Sequence, residues 1–327
     1  MKKIKLPIVL LFAITVSLFS CKKEIDYNCG ENLFVENVFD DIEIETVQYG
    51  FTEKSNGSEY KLMMDIYHSA SAPENRPVVI WAFGGAFVQG DRKQLEAYAR
   101  HVAEKGYVGI CIDYRLLDLS NGFPTEEQFR DIAVKAVSDM NASVRYTKYL
   151  AAGENKFKIN PDKIFIGGLS AGAITAVMVG TIDETDLIDS TNLYLINQNG
   201  GFKGNSGLAV ANSYNNNVSG VISLSGGIFD INWIDAEDPP IYNYHGTADD
   251  IVPYDFGFVE PFGVQILEMY GSKQINNRAE SLGIRTQIRT VNGGTHTNIY
   301  GAGGSFPNDY EAMFEEFPQF LLVDLCE

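Results

Sequence analysis

Basic residues are scarce in this 327-residue chain, where 25 Lys and Arg face 43 Asp and Glu for a formal charge of −18. A surface of that sign repels phosphate backbones, so nucleic acid is not an expected partner. Cysteine is scarce too: there are four, and none is spaced with another Cys or a His as a zinc site requires. Cys111 sits inside the apolar run Tyr107–Ile112 and reads as a buried core thiol. From Asp41 onward there is no low-complexity linker and no internal repeat, which excludes solenoids and arrays of tethered modules. Histidine is limited to four, so any reaction that needs an imidazole has few places to find one.

No apolar run is comfortably long enough to span a membrane. The longest near the N-terminus, Leu6 to Phe19, follows Lys2, Lys3 and Lys5 and ends at Ser20 before Cys21. That order, a positive start, an apolar middle and a small residue, is the pattern of an export signal. Leu18-Phe19-Ser20-Cys21 looks like a bacterial lipobox, in which the cysteine becomes the acylated N-terminus. The expectation is a signal peptide over 1–20, lipid on Cys21, a tether over 21–41 and a catalytic domain over 42–327. The mature protein would be an exported bacterial lipoprotein held at a membrane, periplasmic or at the outer surface. In an oxidising compartment, Cys29 and Cys326 could pair across the two ends of the mature chain.

Two early strands are legible. Ile42 to Tyr49 alternates apolar and acidic residues, and Tyr60 to Tyr67 follows the turn Ser55-Asn-Gly-Ser58, which suggests a hairpin and an antiparallel edge. The pattern then changes. Val78 to Phe83 is continuously apolar, as in a strand covered on both faces. Helical spacing over Arg92–Lys105, a strand at Tyr107–Ile112 and helical spacing over Glu126–Leu150 follow. Strands at Lys163–Ile166, Val218–Leu224, Ile241–Tyr244 and Ile284–Val291 alternate with helices from Ala171, over Val264–Leu282 and over Asn308–Leu322. Such alternation predicts one α/β domain, a doubly wound and mostly parallel sheet with helices on both faces. Asp183 to Asn217, rich in Asn and Gly, breaks the rhythm and reads as a loop or small cap beside the site.

Gly168-Leu-Ser-Ala-Gly172 matches G-x-S-x-G. The motif alone is modest evidence, but a strand precedes it and a small-residue helix follows, which is the strand–turn–helix context of a nucleophile elbow. Trp81-Ala-Phe-Gly-Gly-Ala-Phe87 also leaves a strand, and such a small-residue loop can aim backbone N–H groups at a developing oxyanion. Of the histidines, His68 and His101 read as structural and His245 as a turn residue. His296, in a loop beyond every other strand, is the candidate base. The acid must then lie between serine and histidine in chain order. Asp249, after the strand Ile241–Tyr244, meets that requirement, and Asp250 is its adjacent alternative.

The chain resembles the α/β-hydrolase superfamily of esterases and lipases. The likeness is carried by Leu62–Tyr67, Trp81–Phe87 with Gly90, Asp113-Tyr-Arg-Leu116, Gly168–Gly172, His245-Gly-Thr-Ala-Asp-Asp-Ile-Val-Pro253 and His296. Phe83 before the glycines looks like the carboxylesterase and cholinesterase form, while the His-Gly-Thr-x-Asp loop is similar to bacterial feruloyl and acetyl-xylan esterases. The resemblance implies an eight-stranded type of sheet. It implies Ser170 as nucleophile, His296 as base then acid, Asp249 as its orienter, and an oxyanion hole from the N–H groups of Gly85, Ala86 and Ala171. It also implies an ester substrate, small or polymer-linked, and no metal or cofactor. A peptidase or amidase of the same fold, and a non-catalytic cholinesterase-like binding protein, are the alternatives.

Overall fold

In the computed structural model, residues 33–326 are described apart from 54–58, 121 and 302. The expected signal peptide, Cys21, Cys29 and the turn at Ser55–Ser58 lie outside the described residues, as does the Cys326 side chain.

The sheet is built around its most apolar strand. Strand β3 (Arg76–Ala82) is buried at every position, which requires cover on both faces. Its parallel neighbours are β4 (Val108–Ile112) and β5 (Ile159–Leu169). The order β1-β2-β4-β3-β5-β6-β8-β11 gives eight strands. Strands β1 (Ile42–Glu53) and β2 (Glu59–Ser69) form the antiparallel edge, while β6 (Gly220–Leu224), β8 (Ile241–Gly246) and β11 (Thr286–Val291) continue in parallel. This is the doubly wound sheet expected from the alternating pattern.

Helices α1 (Glu96–Glu104), α2 (Glu126–Ala152), α3 (Ala171–Thr181), α5 (Ser272–Leu282) and α6 (Pro307–Cys326) cover the faces. A capping box starts α2, with Thr125 Oγ1 accepting from Gln128 N at 3.3 Å and Gln128 Oε1 from Thr125 N at 2.9 Å. Cys111 is buried and free. No described helix is long and apolar enough to cross a membrane.

Three expectations need correction. First, the helix expected over Val264–Leu282 begins only at Ser272. Before it runs β10 (Leu267–Gly271), with Leu267 and Met269 buried and Glu268 exposed, a period of two that only a strand satisfies. It pairs with β7 (Gly227–Ile228) and β9 (Phe256–Val259) in a second, three-stranded antiparallel sheet. Second, Asp183–Asn217 carries α4 (Ser190–Gln198) and leans on α2 rather than on the site. Its Ile196, Asn199 and Phe202 face Val134, Val137 and Asn141, and Arg145 Nη2 donates to Ser206 O at 3.0 Å. Third, the described end of the expected tether is docked: Phe34 is buried against Tyr107 at 5.1 Å, and Phe34 N donates to Lys105 O at 2.9 Å.

Candidate active site

Ser170 sits between β5 and α3 at φ 56° and ψ −117°, a left-handed conformation that costs a non-glycine residue energy. The surrounding glycines allow it. A Cβ on Gly168 would stand 2.2 Å from Gly172 C, and one on Gly172 would stand 2.0 Å from the Ala82 carbonyl. The turn is therefore pressed against its neighbours, and only hydrogen fits at those two places. Ser170 N donates to Leu224 O at 2.8 Å, tying the bend to β6.

Asp249 and His296 are 47 positions apart yet meet because β8 and β11 are parallel neighbours. The loops that leave them are stitched together: Thr247 N donates to Val291 O and Ala248 N to Gly294 O, each at 2.9 Å, and Gly293 N donates to Thr247 Oγ1 at 2.8 Å. His296 then reaches both partners, Nε2 lying 2.8 Å from Ser170 Oγ and Nδ1 2.7 Å from Asp249 Oδ2. Asp250 is exposed and stands outside this contact.

The Asp249 side chain is fully buried. Its Oδ1 accepts from the backbone N–H groups of Ile251 and Val252, both at 2.9 Å. Burial pushes the carboxyl up, but hydrogen bonds from His245 and His296, with the charge those rings can carry, outweigh it and hold Asp249 well below the usual carboxylate range. The His245 contact corrects the sequence reading. His245 is no mere turn residue; it is fully buried, with Nε2 3.1 Å from Asp249 Oδ2. Its i, i+4 spacing to Asp249 was the available clue. His68 and His101 are structural as expected: His68 packs edge-on to Phe157, and His101 contacts Phe314 O at 2.9 Å, burial taking its ring down to about 4.

The loop after β3 faces the elbow. Gly84 approaches so closely that a Cβ there would stand 3.2 Å from Ser170 Cβ. Gly85, Ala86 and Phe87 all have positive φ (128°, 54° and 62°). Among the described backbone bonds, neither the Gly85 nor the Ala86 N–H has an acceptor, and the first N–H groups of α3, starting at Ala171, have none within the helix. The loop is braced from behind, where Phe83 stacks on Tyr114 at 4.2 Å, Tyr114 Oη donates to Phe83 O at 2.8 Å, and Arg92 bridges Asp65 and Asp113 at 2.8 Å each.

Ser170 and His296 open into a cavity of about 440 Å³. Phe129, Leu169, Ile174, Val252, Val259 and Phe262 give it an apolar wall, and no Asp, Glu, Lys or Arg lines it. Its roof is the β9–β10 hairpin, whose tip holds Phe262 at φ 60°. The sequence reading missed this roof, although the alternation around Leu267 and Met269 carried it. Tyr300, in the loop before α6, also lines the cavity and hydrogen-bonds Ser225 Oγ at 2.7 Å. Among the described residues, no group of three or more His, Cys, Asp or Glu is arranged to hold a metal.

A strained serine at a strand–helix bend, on an eight-stranded sheet of this order, makes the chain an α/β-hydrolase in fold. Residues 64–226 match the BD-FAE family. The chain is 22% identical over 293 residues to a probable isoprenylcysteine alpha-carbonyl methylesterase of Arabidopsis thaliana, a match covering 82% of this chain but only 55% of that longer protein. In shape it is similar to Thermogutta terrifontis esterase 2 phosphorylated by paraoxon, with a TM-score of 0.61, 18% identity and cover of 86% of this chain and 94% of that one. The propionate-bound form of that esterase matches with a TM-score of 0.60 at 18% identity, covering 85% and 93%.

Proposed function

We propose that this protein is a carboxylesterase, a serine hydrolase that cleaves carboxylic esters through an acyl-enzyme on Ser170. The observation that carries the reading is the buried relay from Ser170 Oγ through His296 to Asp249, at 2.8 and 2.7 Å, opening into a cavity with no charged side chain. His296 Nε2 takes the Ser170 proton as Oγ attacks the ester carbonyl, and Asp249 fixes the ring and balances its positive charge. The N–H groups of Gly85, Ala86 and Ala171 meet the oxyanion, each such donor being worth about 3 kcal/mol. The alcohol leaves with the proton from His296, and water repeats the cycle on the acyl-enzyme.

An apolar cavity of about 440 Å³ suits the uncharged acyl arm of a short or aromatic ester. The esterase likeness supports that class, and the similar Thermogutta enzyme has been solved with propionate and with butyrate bound. The test is a panel of p-nitrophenyl esters of graded acyl length with methyl ferulate and acetylated xylan, run beside Ser170→Ala. Hydrolysis of the short esters, falling at least about a thousandfold in the variant, is expected. Equal activity of wild type and variant would remove Ser170 from its role.

We also propose that the protein is exported and anchored by lipid on Cys21. The basic start, the apolar run Leu6–Phe19 and the string Leu18-Phe19-Ser20-Cys21 support this. Labelled palmitate fed to expressing bacteria should enter the wild type and not Cys21→Ala; incorporation into both would refute the anchor.

A further inference from the structure

His245 and His296 both meet Oδ2 of Asp249, and the surroundings of His245 fix which of its nitrogens carries the proton. Nε2 is 3.1 Å from the Val252 carbonyl and 3.1 Å from Asp249 Oδ2. A backbone carbonyl can only accept, so Nε2 bears a hydrogen and donates to Val252, with Asp249 Oδ2 at the same distance from that nitrogen. Nδ1 is 2.8 Å from Ser272 Oγ, at the first residue of α5. His245 and Ser272 are both fully buried. Nothing in the ester mechanism uses this second ring. It spans three elements: the end of β8 that carries it, the loop Asp249–Val252, and the start of α5.

We propose that His245 is a positioning residue for Asp249, its Nε2–H holding carboxylate oxygen Oδ2 at the height where His296 Nδ1 meets it. The assignment rests on reading Ser170, His296 and Asp249 as the reacting set. The bonds at Oδ1 from Ile251 and Val252 fix one oxygen of the carboxylate. Without this second contact, Oδ2 is held only by His296, the group it is meant to orient. A carboxylate gripped on one oxygen can twist about its Cβ–Cγ bond, and small misplacements of a catalytic group are expensive in rate. His245 closes that freedom. It neither touches substrate nor exchanges a proton with it; its effect is carried entirely by Asp249.

Two substitutions separate this role from packing. Gln at 245 can set an amide N–H near the place of Nε2, whereas Asn is one bond shorter, stops near Nδ1 and keeps only the Ser272 side. His245→Asn should lower kcat about tenfold or more with KM within twofold, and His245→Gln should stay within about threefold of wild type. Equal losses in the two variants, a loss confined to KM, or an Asn variant within twofold of wild type would each overturn the proposal. The same contrast is read from the rate at which paraoxon phosphorylates Ser170, followed by intact mass. Wild type that is labelled but hydrolyses no ester of the panel would refute the esterase reading alone, leaving the Asn–Gln contrast to be read from labelling. Should neither variant fold, wild type decides. With four histidines in the chain, imidazole ¹⁵N NMR at neutral pH should show His245 with its proton on Nε2, and a ring carrying a proton on Nδ1 only would overturn the assignment.

Discussion

Two acidic corners of the molecule treat a carboxylate in opposite ways. In the loop after β8, the Asp249 side chain is fully buried and is held well below the usual range. In the loop before β8, Asp238 is half-buried, and burial followed by the charges of Asp235, Asp186 and Asp183 pushes it up to about 8. Asp186 nearby rises to about 6, again chiefly by burial. Burial alone therefore does not decide the charge. Asp249 meets three hydrogen-bond donors, two backbone N–H groups and His296, with His245 Nε2 3.1 Å away, whereas a single N–H, from Asp235 at 2.9 Å, meets Asp238. The first corner is built to keep a negative charge beside His296; the second faces like charges and takes up a proton.

The largest effect that tests this contrast is on turnover. Asp249→Asn removes the charge and presents an N–H or oxygen where His296 Nδ1–H needs an acceptor, so kcat should fall about a thousandfold or more. Asp250→Asn, one position away but exposed, and Asp238→Asn in the other corner should each leave kcat within about threefold. An Asp250 variant as crippled as Asp249→Asn would break the assignment of the acid. Next in size is the rigidity of the site. Gly172→Ala forces a Cβ to within 2.0 Å of the Ala82 carbonyl, whereas Gly303 has nothing within 4 Å. The first should cost about 3 kcal/mol or more by urea unfolding and the second within about 0.5 kcal/mol.

A smaller effect is expected in specificity. Phe262 walls the cavity beside Ser170 and also a neighbouring one of about 450 Å³ bounded by Leu117, Leu119 and Phe123. Phe262→Ala should join the two. The ratio of kcat/KM for a C8 ester to that for a C2 ester should rise about tenfold. An unchanged ratio would mean that the hairpin tip does not bound the acyl arm.

The elements that form the candidate site were the legible ones. Gly168–Gly172, the run Trp81–Phe87 and the loop from His245 to Pro253 are local strings whose residue types answer to local geometry, and the parallel strands before them are mostly apolar and buried. The convergence of Asp249 with His296 followed from β8 and β11 being neighbours, which the alternation of strand and helix makes natural. Less legible was anything decided by a partner far along the chain. Leu267–Gly271 becomes a strand because β7 and β9 lie beside it, and helical spacing in Ser272–Leu282 masked the change of period. His245 reads as a turn residue because the Ser272 hydroxyl that meets its Nδ1 comes from α5, 27 positions on, even though the Asp249 carboxylate and Val252 carbonyl lie in the loop just after it. The Asn-rich stretch before Asn217 gave no sign of which face it covers.

The smallest expected effect lies in the corner without chemistry and is read in stability. Asp238 titrates at about 8 in the folded chain and near 3.9 when unfolded. Between those values the folded state holds a proton that the unfolded state has released, so unfolding stability falls as pH rises. The contribution is fully present below the unfolded value and is lost through about pH 8. Asn imitates the protonated form and keeps an oxygen for the Asp235 N–H. Asp238→Asn should therefore melt with wild type at pH 4 and above it at pH 9, by about 1 kcal/mol once solvent screening is allowed for, or about 2 °C. Asp186→Asn should show the same sign with its midpoint near pH 6. Two variants that melt with wild type at every pH would mean that the corner is hydrated well enough to carry its charges. The contrast with Asp249 would then come from water rather than from the count of donors.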